Sequence, residues 1–230
     1  MLLVSTTQLV IASEALSLLM QVSIIVPMVV SWRRWSQLSP LMRLLSSYVY
    51  LSALSVVAAR WAEWTHHSNL LYLMAFNAGK IILFTAVYFQ VLQLRWLRWL
   101  FVGLATVGLL AGVYVGLRQE MGLMMTYFRT LQCGLLAALA LAYLEQLSRE
   151  PPRERLRSNP MFLLSVGQLI YSAGTVVFFS LDFTRASVAQ NKIYFGVVAI
   201  SGLIFNTLLT MAFLRARPDG PETQRPVTGS

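Results

Sequence analysis

Residues 70–92, LLYLMAFNAGKIILFTAVYFQVL, form a long apolar run that carries a single charge, Lys80. A helix needs about 20 mainly apolar residues to cross roughly 30 Å of hydrocarbon. The run has that length, so it predicts an α-helix that spans a bilayer. Windows of the same kind recur along the chain, at residues 9–30, 41–61, 70–92, 97–117, 124–144, 161–181 and 193–214. The sequence therefore predicts an all-α fold, a polytopic membrane bundle of seven transmembrane helices.

Composition supports a bilayer as the solvent. The 230 residues are 57% hydrophobic and only 12% charged, with a mean hydropathy of +0.64. A soluble domain this apolar would have too few polar residues to cover its surface, whereas the surface of a protein in lipid can be apolar. The net charge of +9 does not indicate nucleic-acid binding, because the basic residues fall between apolar runs.

The distribution of Lys and Arg predicts the orientation, since cytoplasmic loops are enriched in both. Four basic residues lie on one side of the predicted bundle, and the remaining two, Lys80 and Arg129, lie within spans. Twelve lie on the other side: Arg33, Arg34, Arg43, Arg95, Arg98, Arg149, Arg153, Arg155, Arg157, Arg215, Arg217 and Arg225. This asymmetry places the C-terminus in the cytoplasm and the N-terminus outside. We expect a multi-pass protein of the cell (inner) membrane, with residues 1–216 as the transmembrane domain and 217–230 as a disordered cytoplasmic tail.

Ionisable residues within spans are candidates for function, because a charge at the bilayer centre costs about 2.5 to 3.5 kcal/mol on insertion scales. Glu14, Lys80 and Arg129 belong to three different helices and to the outer half or the midplane. Together with residues at the outer helix ends, they predict a polar pocket that opens outward. Those outer residues are Arg60, Glu63, His66 and His67. The alternative is that the charged groups pair with one another, or reach the headgroups, and only hold the bundle together.

Neutral polar residues follow helical spacing on the last two spans. On the sixth span, an i, i+3, i+4, i+7 series is formed by Gln168, Tyr171, Ser172 and Thr175. On the seventh, an i, i+4, i+8 series is formed by Gly202, Asn206 and Thr210. These faces should point inward, for a ligand or for close packing. The candidate ligand-binding set is Glu14, Asn77, Lys80, Arg129, Gln132, Gln168, Tyr171 and Asn206.

Signatures of enzymes and cofactors are mostly absent. Two adjacent histidines, His66 and His67, are too few for a catalytic zinc site, and the lone Cys133 cannot form an internal disulfide. Lys80 in a seven-helix bundle invites comparison with retinal proteins, but they carry the Schiff-base lysine midway along the last helix, where this chain has Asn206. We expect no metal, no cofactor and no catalytic residue, although an enzyme of an unrecognised kind stays open.

The stretch RSNPMFLLSVGQLIYSAGTVVFFS (157–180) resembles the sixth helix of a group of uncharacterised bacterial seven-helix membrane proteins. The shared residues are an Asn-Pro at the helix start, then Gly, Leu-Ile-Tyr and Ser-x-Gly-Thr. The end of the seventh span, around Asn206, is similar to theirs, and the third span is weakly so, where they tend to carry a carboxylate near the position of Lys80. The resemblance implies the seven-helix topology and marks Asn159, Pro160, Gln168, Tyr171 and Asn206, but it implies no function.

Three functions are compatible with these features. In the first, the chain is a membrane sensor whose outward pocket binds a small anionic or lipid-like ligand, while the loop from Ser148 to Asn159 meets a cytoplasmic protein partner. In the second it is a small-molecule transporter in which Glu14 and Lys80 exchange partners. In the third it is a structural or assembly protein whose polar residues serve helix packing alone.

Overall fold

The computed structural model describes residues 6–65, 70–118, 121–149, 159–180 and 188–216. All regular structure within these ranges is helical, and a short 3-10 turn, Trp35–Gln37, is the sole addition there to the α-helices. The helices are α1 Thr6–Ser23, α2 Ile25–Arg33, α3 Pro40–Trp64, α4 Leu70–Val91, α5 Arg95–Arg118, α6 Met121–Arg149, α7 Pro160–Ser180 and α8 Val188–Arg215. The predictions for His66, His67, loop residues 150–158 and the tail 217–230 lie outside the described residues.

The helical fold and its membrane character are confirmed. In the described part of the chain, six helical segments are long and apolar enough to cross a membrane, with α1 and α2 counted together as Gln8–Arg33. The apolar stretch of α7 whose side chains are described, Pro160–Val176, is shorter. A multi-pass protein in contact with lipid follows from these segments.

The first predicted span is broken into two helices at Ile24. Pro27 explains the break, because proline has no N–H to donate to the carbonyl of Ser23 and its ring clashes with that carbonyl. Ile24 itself keeps helical dihedral angles (φ −64°, ψ −20°), so the hydrogen bonding is interrupted there and α2 follows directly. At the far end of α2, Arg34 Nη1 donates to the carbonyls of Phe213 (2.8 Å) and Leu214, so that α2 is tied to the end of α8.

The start of α7 is fixed by the Asn-Pro pair. Asn159 Oδ1 accepts hydrogen bonds from the N–H groups of Met161 (2.9 Å) and Phe162 (3.2 Å), which would otherwise lack a partner. Pro160 occupies the first helical position, where a missing N–H costs nothing. Asn159 also bonds the hydroxyl of Tyr143 on α6, which links the two helices.

Helix directions alternate along the chain. The first and last helices run parallel, because successive positions of α1 meet successive positions of α8: Ser13 faces Gly196, Met20 faces Gly202 and Ser23 bonds Asn206. Neighbouring α7 and α8 are antiparallel, since Gly167 meets Phe205 and Leu208 whereas Gly174 meets Ser201. The N-terminal ends of α1, α4, α6 and α8 therefore lie at one end of the bundle, together with the C-terminal ends of α3, α5 and α7.

Candidate functional site

A cavity of about 420 Å³ lies between the helices, in the half of the bundle that contains the N-terminal part of α4. Described residues of α1, α3, α4, α6, α7 and α8 form its walls, and Ile24, just before α2, also lines it. The polar lining residues are Gln21, Ser52, Ser55, Arg60, Asn77, Lys80, Arg129, Gln132, Thr175 and Asn206. The volume falls in the range of about 300 to 1,000 Å³ that is typical of small-molecule sites.

Most of the predicted site residues meet in this cavity. Its lining includes Asn77, Lys80, Arg129, Gln132, Tyr171 and Asn206, which come from four helices. Gln168 and Glu14 are placed elsewhere. Gln168 is buried between helices, where its Nε2 donates to Ser172 at 3.1 Å. Glu14 is exposed on α1 and does not line the cavity.

The ammonium group of Lys80 is surrounded by aromatic rings. Its Nζ lies 4.2 Å from the ring centroid of Tyr171, 5.4 Å from those of Tyr48 and Phe205, and 5.8 Å from that of Phe84. Lys80 is 1% exposed, so the rings and not water surround the charge. Cation–π attraction of this kind is worth about 2 kcal/mol or more in a desolvated site. The aromatic faces stabilise the charge but do not neutralise it.

No carboxylate of the described residues lies within 4 Å of the Lys80 ammonium. Among the described residues, the cavity lining also includes Arg60 and Arg129, and it contains neither Asp nor Glu. The buried charge of Lys80 between low-dielectric walls creates a positive potential in the cavity, and such a potential attracts anions.

Two amides of the lining have a buried polar atom without a hydrogen bond to the described residues. These atoms are the donor Asn77 Nδ2 and the acceptor Gln132 Oε1, and their residues are 5% and 2% exposed. A buried polar group without a partner costs about 1 to 3 kcal/mol. Asn77 lies three residues before Lys80 on α4, on the same helix face. The lining therefore offers one donor beside the ammonium and one acceptor.

Asn206 has a different role in the geometry. Its Nδ2 donates to Ser23 Oγ at 2.7 Å and to the carbonyl of Met20 at 3.3 Å. Both acceptors are in the last turn of α1, where the Ser23 hydroxyl in turn donates to the carbonyl of Met20 at 2.7 Å. Asn206 thus holds the end of α1 against α8 at the edge of the cavity.

The other half of the bundle is closed by packing. Beyond Lys80 along α4, the Tyr88 hydroxyl bonds Ser165 Oγ at 2.9 Å, and Tyr88 packs edge-on against Tyr143. Fully buried apolar residues fill this layer: Phe84, Val87, Leu92, Leu136, Leu139, Leu164, Leu209 and Phe213. The cavity therefore ends at the level of Lys80.

Sequence reasoning missed several residues of the site. Tyr48 and Phe205 contribute two of the rings around Lys80, and Gln21 and Ser52 contribute polar groups to the lining. In the sequence, an aromatic residue within an apolar span is indistinguishable from one that faces lipid or core. The available signal was spacing: Ser52 and Ser55 continue, at i+4 and i+7, a face that begins at Tyr48.

Comparisons with known protein families, with curated proteins and with solved structures found no match for this chain. The resemblance of α7 to bacterial seven-helix proteins therefore stays a prediction from the sequence.

Proposed function

We propose that the chain is a ligand-binding membrane sensor whose pocket takes a small organic anion. The observation that carries the proposal is the cavity in which the buried ammonium of Lys80 meets unpartnered amide groups of Asn77 and Gln132, with no Asp or Glu among the described lining residues. Such convergence of a few polar groups in a mainly apolar cavity is typical of small-molecule sites.

The donors and acceptors of the lining indicate the class of organic anion. A carboxylate would accept hydrogen bonds from Lys80 Nζ and Asn77 Nδ2, and charge-assisted bonds of this type are about twice as strong as neutral ones. Gln132 Oε1 accepts only, so the ligand should also carry a donor. A hydroxy acid has both groups and is the ligand class that we propose.

We further propose seven spans with the N-terminus outside the cell. The six long apolar segments, together with the 21 residues of α7, support this number. The parallel packing of α1 and α8 supports it too, because two parallel spans require an odd number of crossings between them. Arginine enrichment at the opposite end places that end in the cytoplasm. The pocket then faces outward, in the inner membrane of a bacterial cell.

A one-sided pocket favours a sensor over a transporter. A transporter must open its site to both sides in turn, whereas the layer of Tyr88, Ser165 and Phe213 is densely packed and hydrogen-bonded. Glu14, which an exchange with Lys80 would require, lies away from the cavity lining. We propose that the sensor signals through the segment from Ser148 to Asn159, which would contact a cytoplasmic protein partner.

The test compares thermal stability of the purified protein in 3-hydroxybutyrate, butyrate and chloride. A ligand that binds only the folded state raises its stability. We expect 3-hydroxybutyrate to stabilise the wild type and an Arg33→Met control more than butyrate or chloride does, and to stabilise Lys80→Met much less than the wild type. Arg33 is a suitable control because it is an exposed cation at the opposite end.

A second variant covers the case in which Lys80→Met does not fold. Gln132→Leu keeps the lysine and removes the acceptor, so it should abolish the preference for 3-hydroxybutyrate over butyrate. Equal responses of wild type and both variants to every anion would overturn the proposal. That outcome would favour the third function, a structural or assembly protein. In such a protein, neutralising Lys80 lowers stability without affecting any ligand response.

A further inference from the structure

One wall of the cavity is formed by two helices that hardly touch. α1 packs along α8, and α2 packs against α8 and α3, but the backbones of α1 and α3 do not come together along their length. Both helices nevertheless line the cavity, α1 through Met20 and Gln21, and α3 through Ser55 and Val56. The cavity therefore lies behind a cleft between α1 and α3.

A polar bridge between Arg60 and Gln21 crosses this cleft. Arg60 donates to Gln21 Oε1 from Nη2 at 2.9 Å and from Nε at 3.3 Å. The side chains next to the bridge are apolar and exposed, with Leu18 on α1 at 55% and Val57 on α3 at 65%. In a bilayer these exposed side chains contact acyl chains. The cleft thus has lipid-facing edges and a polar bridge that a chain could pass beneath.

α1 and α2 meet at the interruption before Pro27, and they are held by different contacts. α2 is anchored at its far end by the bonds of Arg34 to the carbonyls of Phe213 and Leu214. α1 is held mainly by α8, with Asn206 at the break itself. Helices kink at proline, so the junction of α1 and α2 is the point at which their relative angle is set. A change of that angle would alter the width of the cleft and leave the packed half of the bundle in place.

We propose that the ligand reaches the pocket sideways from the bilayer through the α1/α3 cleft, and that it is a single-chain hydroxy acid. This inference rests on the proposed function and adds to its hydroxy acid a single hydrocarbon chain. The carboxylate binds at Lys80 and Asn77, the hydroxyl donates to Gln132, and the hydrocarbon chain leaves beneath the bridge of Arg60 and Gln21. A cavity of 420 Å³ accommodates a headgroup and the first part of one chain, but not a two-chain phospholipid.

The ligand class is tested by equilibrium binding to the full chain in phosphatidylcholine nanodiscs, with empty nanodiscs as the reference. The probes are tritiated 3-hydroxydodecanoate and 3-hydroxybutyrate, which share the headgroup and differ in the chain. We expect the long acid to bind saturably with an apparent Kd at least about tenfold lower, since each methylene that leaves water contributes about 0.8 kcal/mol. Lys80→Met should weaken both acids about tenfold, and Arg33→Met neither.

The outcomes separate the two proposals. Equal, Lys80-dependent binding of both acids would overturn the single-chain inference and leave the proposed function standing. Binding of neither acid, or binding that does not change in Lys80→Met and Gln132→Leu, would overturn both.

The route is tested by closing the cleft. The test variant combines Gln21→Cys and Arg60→Cys in a Cys133→Ser background, and a short bismaleimide links the two new cysteines. The controls are the two single-cysteine variants, treated with the same reagent. We expect the link to slow release of 3-hydroxydodecanoate by about tenfold or more, because an added barrier of 1.4 kcal/mol has that effect. Gln21→Leu, which removes the bridge without new cysteines, should speed it. Unchanged release rates in the linked protein and in Gln21→Leu would refute access through the cleft.

Discussion

The ammonium nitrogen of Lys80 lies 4.2 Å from the centre of the Tyr171 ring, the nearest of the four aromatic rings around it. Two predicted site residues from different helices, α4 and α7, thereby meet in the lining of the cavity. The contact stabilises a charge in a desolvated position. It couples the stability of the bundle to the proposed binding site.

Replacing Tyr171 with Leu should lower the free energy of unfolding by about 2 kcal/mol, because the nearest ring face of Lys80 is lost. Tyr171→Phe keeps the ring and is the matched control, for which we expect a much smaller change. The measurement is reversible denaturation in mixed micelles. In a Lys80→Met background the cost of Tyr171→Leu should shrink, and a cost that stays the same would show that the two residues are not coupled.

Tyr88→Phe should destabilise the packed half of the bundle by about 1 to 3 kcal/mol, because it leaves the buried Ser165 hydroxyl without its partner. The double variant Tyr88→Phe, Ser165→Ala removes both polar groups and should recover much of the loss. Anion binding should not change in either variant, since neither residue lines the cavity. Thermal unfolding with and without 3-hydroxybutyrate gives both readouts, and a loss of the anion response would contradict the separation of the two halves.

Gly174→Ala should disturb the contact between α7 and α8. A Cβ at this position would clash with the Ser201 hydroxyl and lie 2.8 Å from Ser201 Cβ. Overpacking of this kind typically costs about 1 to 3 kcal/mol. Gly134→Ala on α6 is the control, because nothing lies within 4 Å of its new Cβ and alanine is the better helix former. Denaturation of the two variants side by side measures the difference; equal stability would show that α7 and α8 separate freely.

Arg34→Met should loosen the C-terminal end of α8. The guanidinium donates to the carbonyls of Phe213, Leu214 and Ala216, which have no partner within the helix. Hydrogen–deuterium exchange of residues 210–216 should therefore become faster by about tenfold, as loss of a charge-assisted bond of about 1.5 kcal/mol implies. Arg33→Met, at the exposed neighbouring position, should leave the exchange unchanged, and an equal effect of both would point to charge alone.

The sequence determined the helices, and the reason is local. A run of about 20 apolar residues can satisfy its backbone in lipid only as a helix, so the positions of the spans follow from composition and length. The break at Ile24 and the start of α7 are also local, because Pro27, Asn159 and Pro160 act on residues within one turn. Lys80 was identified as a site candidate on depth alone, and it lines the cavity.

Only the tertiary structure decided which side chains share a site. Glu14 and Lys80 were grouped by their depth in the membrane, yet Glu14 is exposed on α1 and lies off the cavity lining. The rings of Tyr48 and Phe205 lie 5.4 Å from the Lys80 ammonium, although the sequence does not single out Phe205 and indicates Tyr48 only through the spacing of Ser52 and Ser55. The physical reason is that hydropathy fixes depth along each helix, whereas the neighbours of a side chain depend on helix rotation and on which helices pack together. Helix rotation and packing depend on contacts between residues that lie far apart in the chain, such as the hydrogen bond from Asn206 to Ser23.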